Sequence, residues 1–184
     1  LQPHSPYAAS KIAADKLAES YHLSFGLPIA TLRPFNTFGP RQSLRAIIPT
    51  IVSQAIESKK IRLGNIKPRR DFLFVKDTVR GFIELGKCDE AIGKVVNIGT
   101  GRDISIEELV QKISAEIGKE REVEVEDQRI RPEKSEVMQL LSDTRLAQRL
   151  FGWKPRYTLE DGLRETIEWY RKNISRFKVG TYPL

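Results

Sequence analysis

The chain is short of several residues, and each shortage excludes something. One cysteine, Cys88, stands in 184 residues, so no internal disulfide can form. A reducing cytoplasm is the expected compartment, with Cys88 a small structural residue. Only two histidines occur, His4 and His22, and they are far apart. Nothing has metal-ligand spacing, and no Ser-His-Asp arrangement points to hydrolysis. No apolar run approaches the ~20 residues of a membrane span, so no membrane role is expected. The polar first residues lack the apolar core of a signal peptide. Methionine occurs once, at Met138, and aromatic residues make up 8%. With no methionine at its start, the chain is expected to be a fragment or a trimmed or proteolysed piece.

What is present fits a globular α/β protein: 40% hydrophobic and 30% charged residues, with a net charge of +7. The basic residues are dispersed, and Lys67, Arg69 and Arg70 form only a short cluster. No aromatic interleaving of an RNA-binding type accompanies them, so a nucleic-acid partner is not expected.

Tyr7-Ala8-Ala9-Ser10-Lys11 carries the most chemistry. Ser5 is a suitable N-cap and Pro6 a suitable first-turn residue. Tyr7 and Lys11 then project from one helix face, a turn apart. An ammonium beside a phenol favours phenolate, which makes a general acid/base. Such a pair also arises by chance, as a tyrosine on a helix face beside a solvated lysine.

Helical spacing continues to Phe25 through Ile12, Ala13, Leu17 and Tyr21, and Gly26 is placed to end it. Leu27 to Leu32 predicts a strand closed by Arg33-Pro34. Ala46 to Ser58 predicts a helix with Ile47, Ile51 and Ala55 on one stripe. Ile61 to Leu63 and Phe72 to Val75 read as short strands, with Asp77 capping a helix through Leu85. Val95 to Ile98 reads as a buried strand. Ser105 and Glu108 form a capping box for a helix to about Ile117, and Glu122 to Glu126 alternates like an exposed-edge strand. Asp143 opens a helix ended by Gly152. Thr158 and Asp161 start the last, with Leu163, Ile167 and Tyr170 inward. Alternating strands and helices predict parallel strands with crossover helices.

Five ordered motifs join the Tyr-Lys pair: Arg33-Pro34-Phe35-Asn36-Thr37-Phe38-Gly39-Pro40-Arg41, Arg70-Asp71-Phe72-Leu73-Phe74-Val75-Lys76-Asp77, Val96-Asn97-Ile98-Gly99-Thr100-Gly101, Arg131-Pro132 and Gly152-Trp153-Lys154-Pro155. In this order the chain resembles the extended short-chain dehydrogenase/reductase family, specifically its NAD-dependent nucleotide-sugar epimerases and dehydratases. The resemblance covers nearly the whole chain. It implies the C-terminal part of a Rossmann-type doubly wound sheet plus a small α/β substrate-binding lobe. Residues 1–40 and parts of 71–100 would belong to the sheet, and 41–70 with 101–184 mainly to the lobe. The family's Gly-rich dinucleotide turn is expected before Tyr7, outside these residues, so one sheet edge and one helix face should be exposed.

The resemblance further implies roles. Tyr7 exchanges a proton with a sugar hydroxyl, and Lys11 lowers the phenol's pKa and bonds the nicotinamide ribose. Pro34 and Phe35 line the nicotinamide. Asn36 contacts the sugar nucleotide, though Pro, Asn and Gly are also ordinary turn residues. Ile48 packs near the base, or else begins a core helix. Arg70 and Arg131 clamp the diphosphate as guanidinium forks. Asn97 lies near the phosphates, or else satisfies backbone groups. Glu133-Lys134 stand where many members have Gly-Asp, leaving Glu136 as the acid implied to meet the nucleotide ribose. Asp71 holds local structure, and Trp153 packs in the small lobe. The implied cofactor is NAD rather than NADP, with tight binding not expected of this chain alone, and the implied substrate is a UDP-linked sugar of the N-acetylglucosamine type. A homo-oligomer is expected, because in the family the Tyr-Lys helix lies in a dimer interface. On its own the chain is expected to be inactive; the competing reading is a remnant acting as a nucleotide-sugar binder or oligomeric scaffold.

Overall fold

A computed structural model describes residues 3–130 and 132–177. In chain order the elements are α1 (Pro6–Phe25), β1 (Thr31–Pro34), β2 (Thr37–Phe38), α2 (Ile47–Glu57), β3 (Lys60–Leu63), β4 (Arg69–Arg70), β5 (Leu73–Phe74), α3 (Val75–Gly86), β6 (Val95–Ile98), β7 (Ile104–Ser105), α4 (Ile106–Ile117), β8 (Glu122–Val125), β9 (Gln139–Leu140), α5 (Arg145–Phe151) and α6 (Leu159–Asn173).

The strands pair mostly in parallel. β1 runs beside β6 with Thr31 opposite Val95 and Pro34 opposite Ile98, and the Phe35 N–H donates to the Ile98 carbonyl to extend the ladder. β2 pairs with β5 and β3 with β8, both parallel. β4 sits between antiparallel β7 and parallel β9. Such pairing needs crossovers, which the intervening helices supply. The structure is therefore α/β, as expected.

Two apolar clusters hold these elements. The larger joins α2, α4 and α6 over β3, with Ile51, Val52, Ile61, Leu109, Ile113 and Tyr170 fully buried. Burying each such aliphatic side chain stabilises the fold by roughly 1.5–3 kcal/mol. β3 and β8 turn charges outward as a cross-strand ladder, Lys60 to Glu122 and Arg62 to Glu124 and Glu126. The smaller cluster gathers Leu73, Leu85, Val96, Ile98, Ala147 and Trp153. Trp153 thus packs against β6 and α5 and not in the α2–α4–α6 cluster. Its indole N–H donates to the Gly99 carbonyl at 3.0 Å, and the Arg80 guanidinium lies 4.4 Å from its ring.

Two local expectations are corrected. Pairing begins at Thr31 instead of Leu27. Gly26 ends α1 in the left-handed conformation at φ 66°, and Ile29 N–H then turns back to the Leu27 carbonyl. The Gly93 N–H donates to the Ile29 carbonyl just before β1, and the Thr31 N–H donates to the Lys94 carbonyl. Asp77 is no cap, since α3 already starts at Val75. Its buried carboxylate accepts from the backbone N–H groups of Arg156 and Tyr157 and from Arg80, fixing the segment after Trp153 across α3. These passing N–H groups need an acceptor wherever water is excluded.

α1 differs from the other long helices in burying no residue fully. Leu17, Tyr21, Leu23 and Phe25 are exposed, so the expected open helix face is present.

Candidate active site

The Ser5 hydroxyl accepts from the Ala8 N–H at 3.1 Å, and Pro6 opens α1, so Tyr7 stands in the first turn. Tyr7 is 71% exposed. The Lys11 ammonium lies 5.5 Å from the centre of the Tyr7 ring, within cation–π range. The pair is therefore formed, and it faces solvent.

A second group assembles where β1, β4, β6 and β9 end. The Asn36 side-chain amide donates to the Asp71 carbonyl at 2.9 Å. Arg70 extends its guanidinium to Glu136 at 3.2 Å, both side chains being only 12–13% exposed. Asp71 is wholly buried and is the hub. Its carboxylate accepts from the Thr100 N–H (2.9 Å) and hydroxyl (2.6 Å), from the Gly101 N–H (3.0 Å), and from the Ser142 N–H (3.3 Å) and hydroxyl (2.5 Å). A carboxylate surrounded by donors meets the cost of its own burial. Gly99 lies so close that a Cβ there would stand 2.2 Å from Ser142 Oγ and 2.7 Å from Asp71 Oδ2. Only glycine lets these segments approach.

On the other side of β4, Arg69 bonds Asp103 at 2.9 Å and Glu108 at 3.2 Å. Gln139 and then Arg69 hold the Asp103 carboxyl below its usual range. The Ser105 backbone and hydroxyl, in the capping box, do the same for Glu108. These contacts tie β7 and β9 to β4.

The other candidates fall apart from this group. Asn97 is half-buried on β6 and turns to a shallow hollow with Val95, Asp143, Arg145, Leu146 and Arg149, whose lining includes none of the other candidate residues. Ile48 is in the main core, 1% exposed. Pro34 and Phe35 are half-buried at the end of β1. Arg131 lies outside the described residues. Sequence reasoning missed the Arg33–Asp15 pair, in which Arg33 Nε and Nη2 meet Asp15 Oδ2 at 2.7 and 2.6 Å. It also missed Ser142 as a partner of Asp71. Spacing gave no signal for either, since both pairs are distant in sequence.

Chemically, Lys11 offers ammonium donors and Tyr7 a phenol on one exposed face of α1. Donors of this kind could meet the ribose hydroxyls of a dinucleotide. Among the described residues no cluster could hold a metal ion, and no helix is long and apolar enough to cross a membrane.

Comparison with known proteins identifies the family. The family model described as GDP-mannose 4,6 dehydratase matches residues 1–166. The mouse dTDP-D-glucose 4,6-dehydratase is 34% identical over 96% of this chain and 50% of its own length. The chain spans about half the length of the curated relatives it matches. The dTDP-glucose 4,6-dehydratase of Bacillus anthracis, solved in complex with NAD, superposes with a TM-score of 0.86 at 32% identity, over 95% of this chain and 55% of that one. The UDP-glucuronic acid 4-epimerase of Bacillus cereus, solved with UDP-glucuronic acid and NAD, gives 0.86 at 28% identity, over 94% and 54%. The fold is thus the Rossmann-type portion that these dehydratases and epimerases share, and the chain belongs to the GDP-mannose 4,6-dehydratase family within the extended short-chain dehydrogenases/reductases.

Proposed function

We propose that this chain is the C-terminal, substrate-holding portion of an NAD-dependent nucleotide-sugar dehydratase or epimerase. The observation that supports it most is the joint occurrence of the Tyr7–Lys11 pair on α1 and the half-enclosed Arg70–Glu136 pair at the end of β4. Arg70, with Arg131, binds the diphosphate, and Asn36 orients the sugar. Glu136 meets the nucleotide ribose. Tyr7 takes the proton from the sugar C4 hydroxyl as that carbon becomes a ketone, and Lys11 favours the phenolate that does so. When bound, NAD supplies the hydride acceptor. The substrate is a UDP-linked sugar of the N-acetylglucosamine type, supported by the variant Arg131-Pro132-Glu133-Lys134 loop. The single cysteine supports a reducing cytoplasm, and exposed Leu17, Tyr21 and Phe25 on α1 support a homo-oligomer. Alone, these residues do not turn over substrate.

The test is Tyr7→Phe in the complete enzyme carrying this chain. Single-turnover oxidation of the sugar should fall by at least about 100-fold, the scale of a lost general base, with nucleotide-sugar affinity retained. Undiminished oxidation would remove Tyr7 from the chemistry.

A further inference from the structure

The Tyr7–Lys11 pair faces a mechanical problem. Among the described residues α1 buries no side chain fully, so packing within this chain does little to fix its rotation. Its inner stripe is Ala8, Ile12, Asp15, Ala18 and His22, all only partly covered. His22 bonds the Leu27 carbonyl, which closes the helix's own C-terminal turn, and its ring lies against Gly93 ahead of β6. Among the described residues, Asp15 makes the one ion pair that leaves α1, and it goes to Arg33 on β1.

The pair is well made. Two guanidinium nitrogens converge on one carboxylate oxygen, at 2.7 and 2.6 Å. The side chains are 32% and 22% exposed, so solvent screens them less than it screens a surface pair. Both ends matter. Asp15 stands one turn beyond Lys11 and two turns beyond Tyr7, about 12 Å along the helix axis. Arg33 stands directly before Pro34-Phe35-Asn36, the segment set against nicotinamide and sugar in the proposed function. A carboxylate four residues from Lys11 is also within reach of its ammonium. With Asp15 engaged by Arg33, that ammonium remains beside the Tyr7 ring, 5.5 Å from its centre.

We infer that Asp15 and Arg33 are positioning residues: their ion pair fixes the rotation of α1 against β1, and with it the placement of Tyr7 and Lys11 relative to Pro34-Phe35-Asn36, and keeps Lys11 from being drawn away. The inference rests on the proposed acid/base role of Tyr7. Misplacing a reacting group by about 1 Å is enough to cost on the order of 100-fold in rate.

The experiment compares Asp15→Asn, the charge swap Asp15→Arg with Arg33→Asp, and Tyr7→Phe in the complete enzyme. It reads kcat and KM for the UDP-sugar, and hydrogen exchange across residues 6–25 by mass spectrometry. Asp15→Asn should lower kcat by about 10- to 100-fold with KM within about twofold, and should speed exchange in 6–25 while 106–117 stays protected. The swap should restore most of both. Normal kcat and exchange in Asp15→Asn would overturn the inference. So would a KM rise matching the kcat loss, or exchange quickened through 106–117 as well, since either marks general structural damage. A swap that recovers neither rate nor exchange would also count against it. If Tyr7→Phe is inactive while Asp15→Asn behaves as wild type, positioning alone fails. If Tyr7→Phe remains active, the acid/base reading fails instead.

Discussion

Removing the carboxylate of Asp71 should be the most damaging single polar change in this fold. Asp71→Ala leaves the N–H groups of Thr100, Gly101 and Ser142 facing a buried void. Each unsatisfied buried donor costs roughly 1–3 kcal/mol, and partial refilling by water brings the total to about 3–5 kcal/mol. Asp71→Asn is gentler. With its oxygen at the Oδ2 position it keeps Gly101 and Ser142, but its NH2 then faces the Thr100 N–H, a loss of about 1.5–3 kcal/mol. Ser142→Ala removes one hydroxyl from the hub and should cost about 1 kcal/mol. The assay is urea unfolding followed by tryptophan fluorescence, since Trp153 bonds the Gly99 carbonyl beside the hub. With a slope near 2 kcal/mol per molar urea, Asp71→Ala should move the midpoint down by about 2 M. A loss below about 1 kcal/mol for Asp71→Ala, or an order in which Ser142→Ala is the worst of the three, would refute the hub.

Gly99→Ala should destabilise by about 2–4 kcal/mol by forcing a Cβ into Ser142 and Asp71, read by the same urea assay; a change under 0.5 kcal/mol, within the ordinary scatter of surface substitutions, would contradict the close approach. Burial pushes the Tyr170 phenol up to about 12, and its hydroxyl donates to the Gln42 carbonyl. A phenol with a raised folded pKa contributes stability that is full below about pH 10 and is lost as pH rises through the folded value. Tyrosinate absorbance should therefore show a late step near pH 12 that Tyr170→Phe removes. On the acid side, the Ser105 and Thr158 caps hold Glu108 and Asp161 below the usual carboxylate range. Their stabilising effect is present above about pH 5 and lost as pH falls through the lowered values. Glu108→Gln should be less stable at pH 7 and lose less between pH 5 and 3 than the parent, by thermal unfolding at each pH.

Much of the fold was legible because its signals are local. Ser5-Pro6 and Gly26 mark both ends of α1, and Ser105 with Glu108 and Thr158 with Asp161 announce α4 and α6 within four residues. The Arg70–Glu136 pairing was half legible, since each residue was singled out but not their contact across 66 positions. What was not legible depends on distant neighbours. Asp77 looks like a cap until the Arg156 and Tyr157 N–H groups arrive from 79 and 80 residues away. Trp153 sits in a motif whose packing partners, Gly99 and Arg80, no local pattern names. Ile48 shows the converse: its helix was read correctly, while the place of its side chain in the core depends on how α2 lies on β3.

The central claim, that this chain holds the nucleotide-sugar side of the site, is tested most directly by calorimetric titration with UDP-N-acetylglucosamine, with NAD as control and Arg70→Ala beside the parent. The parent should bind the sugar nucleotide and should not bind NAD tightly. Arg70→Ala should weaken sugar-nucleotide binding by about 1.5–3 kcal/mol, the scale of charged hydrogen bonds. Absence of sugar-nucleotide binding, or binding that Arg70→Ala leaves unchanged, would contradict the claim.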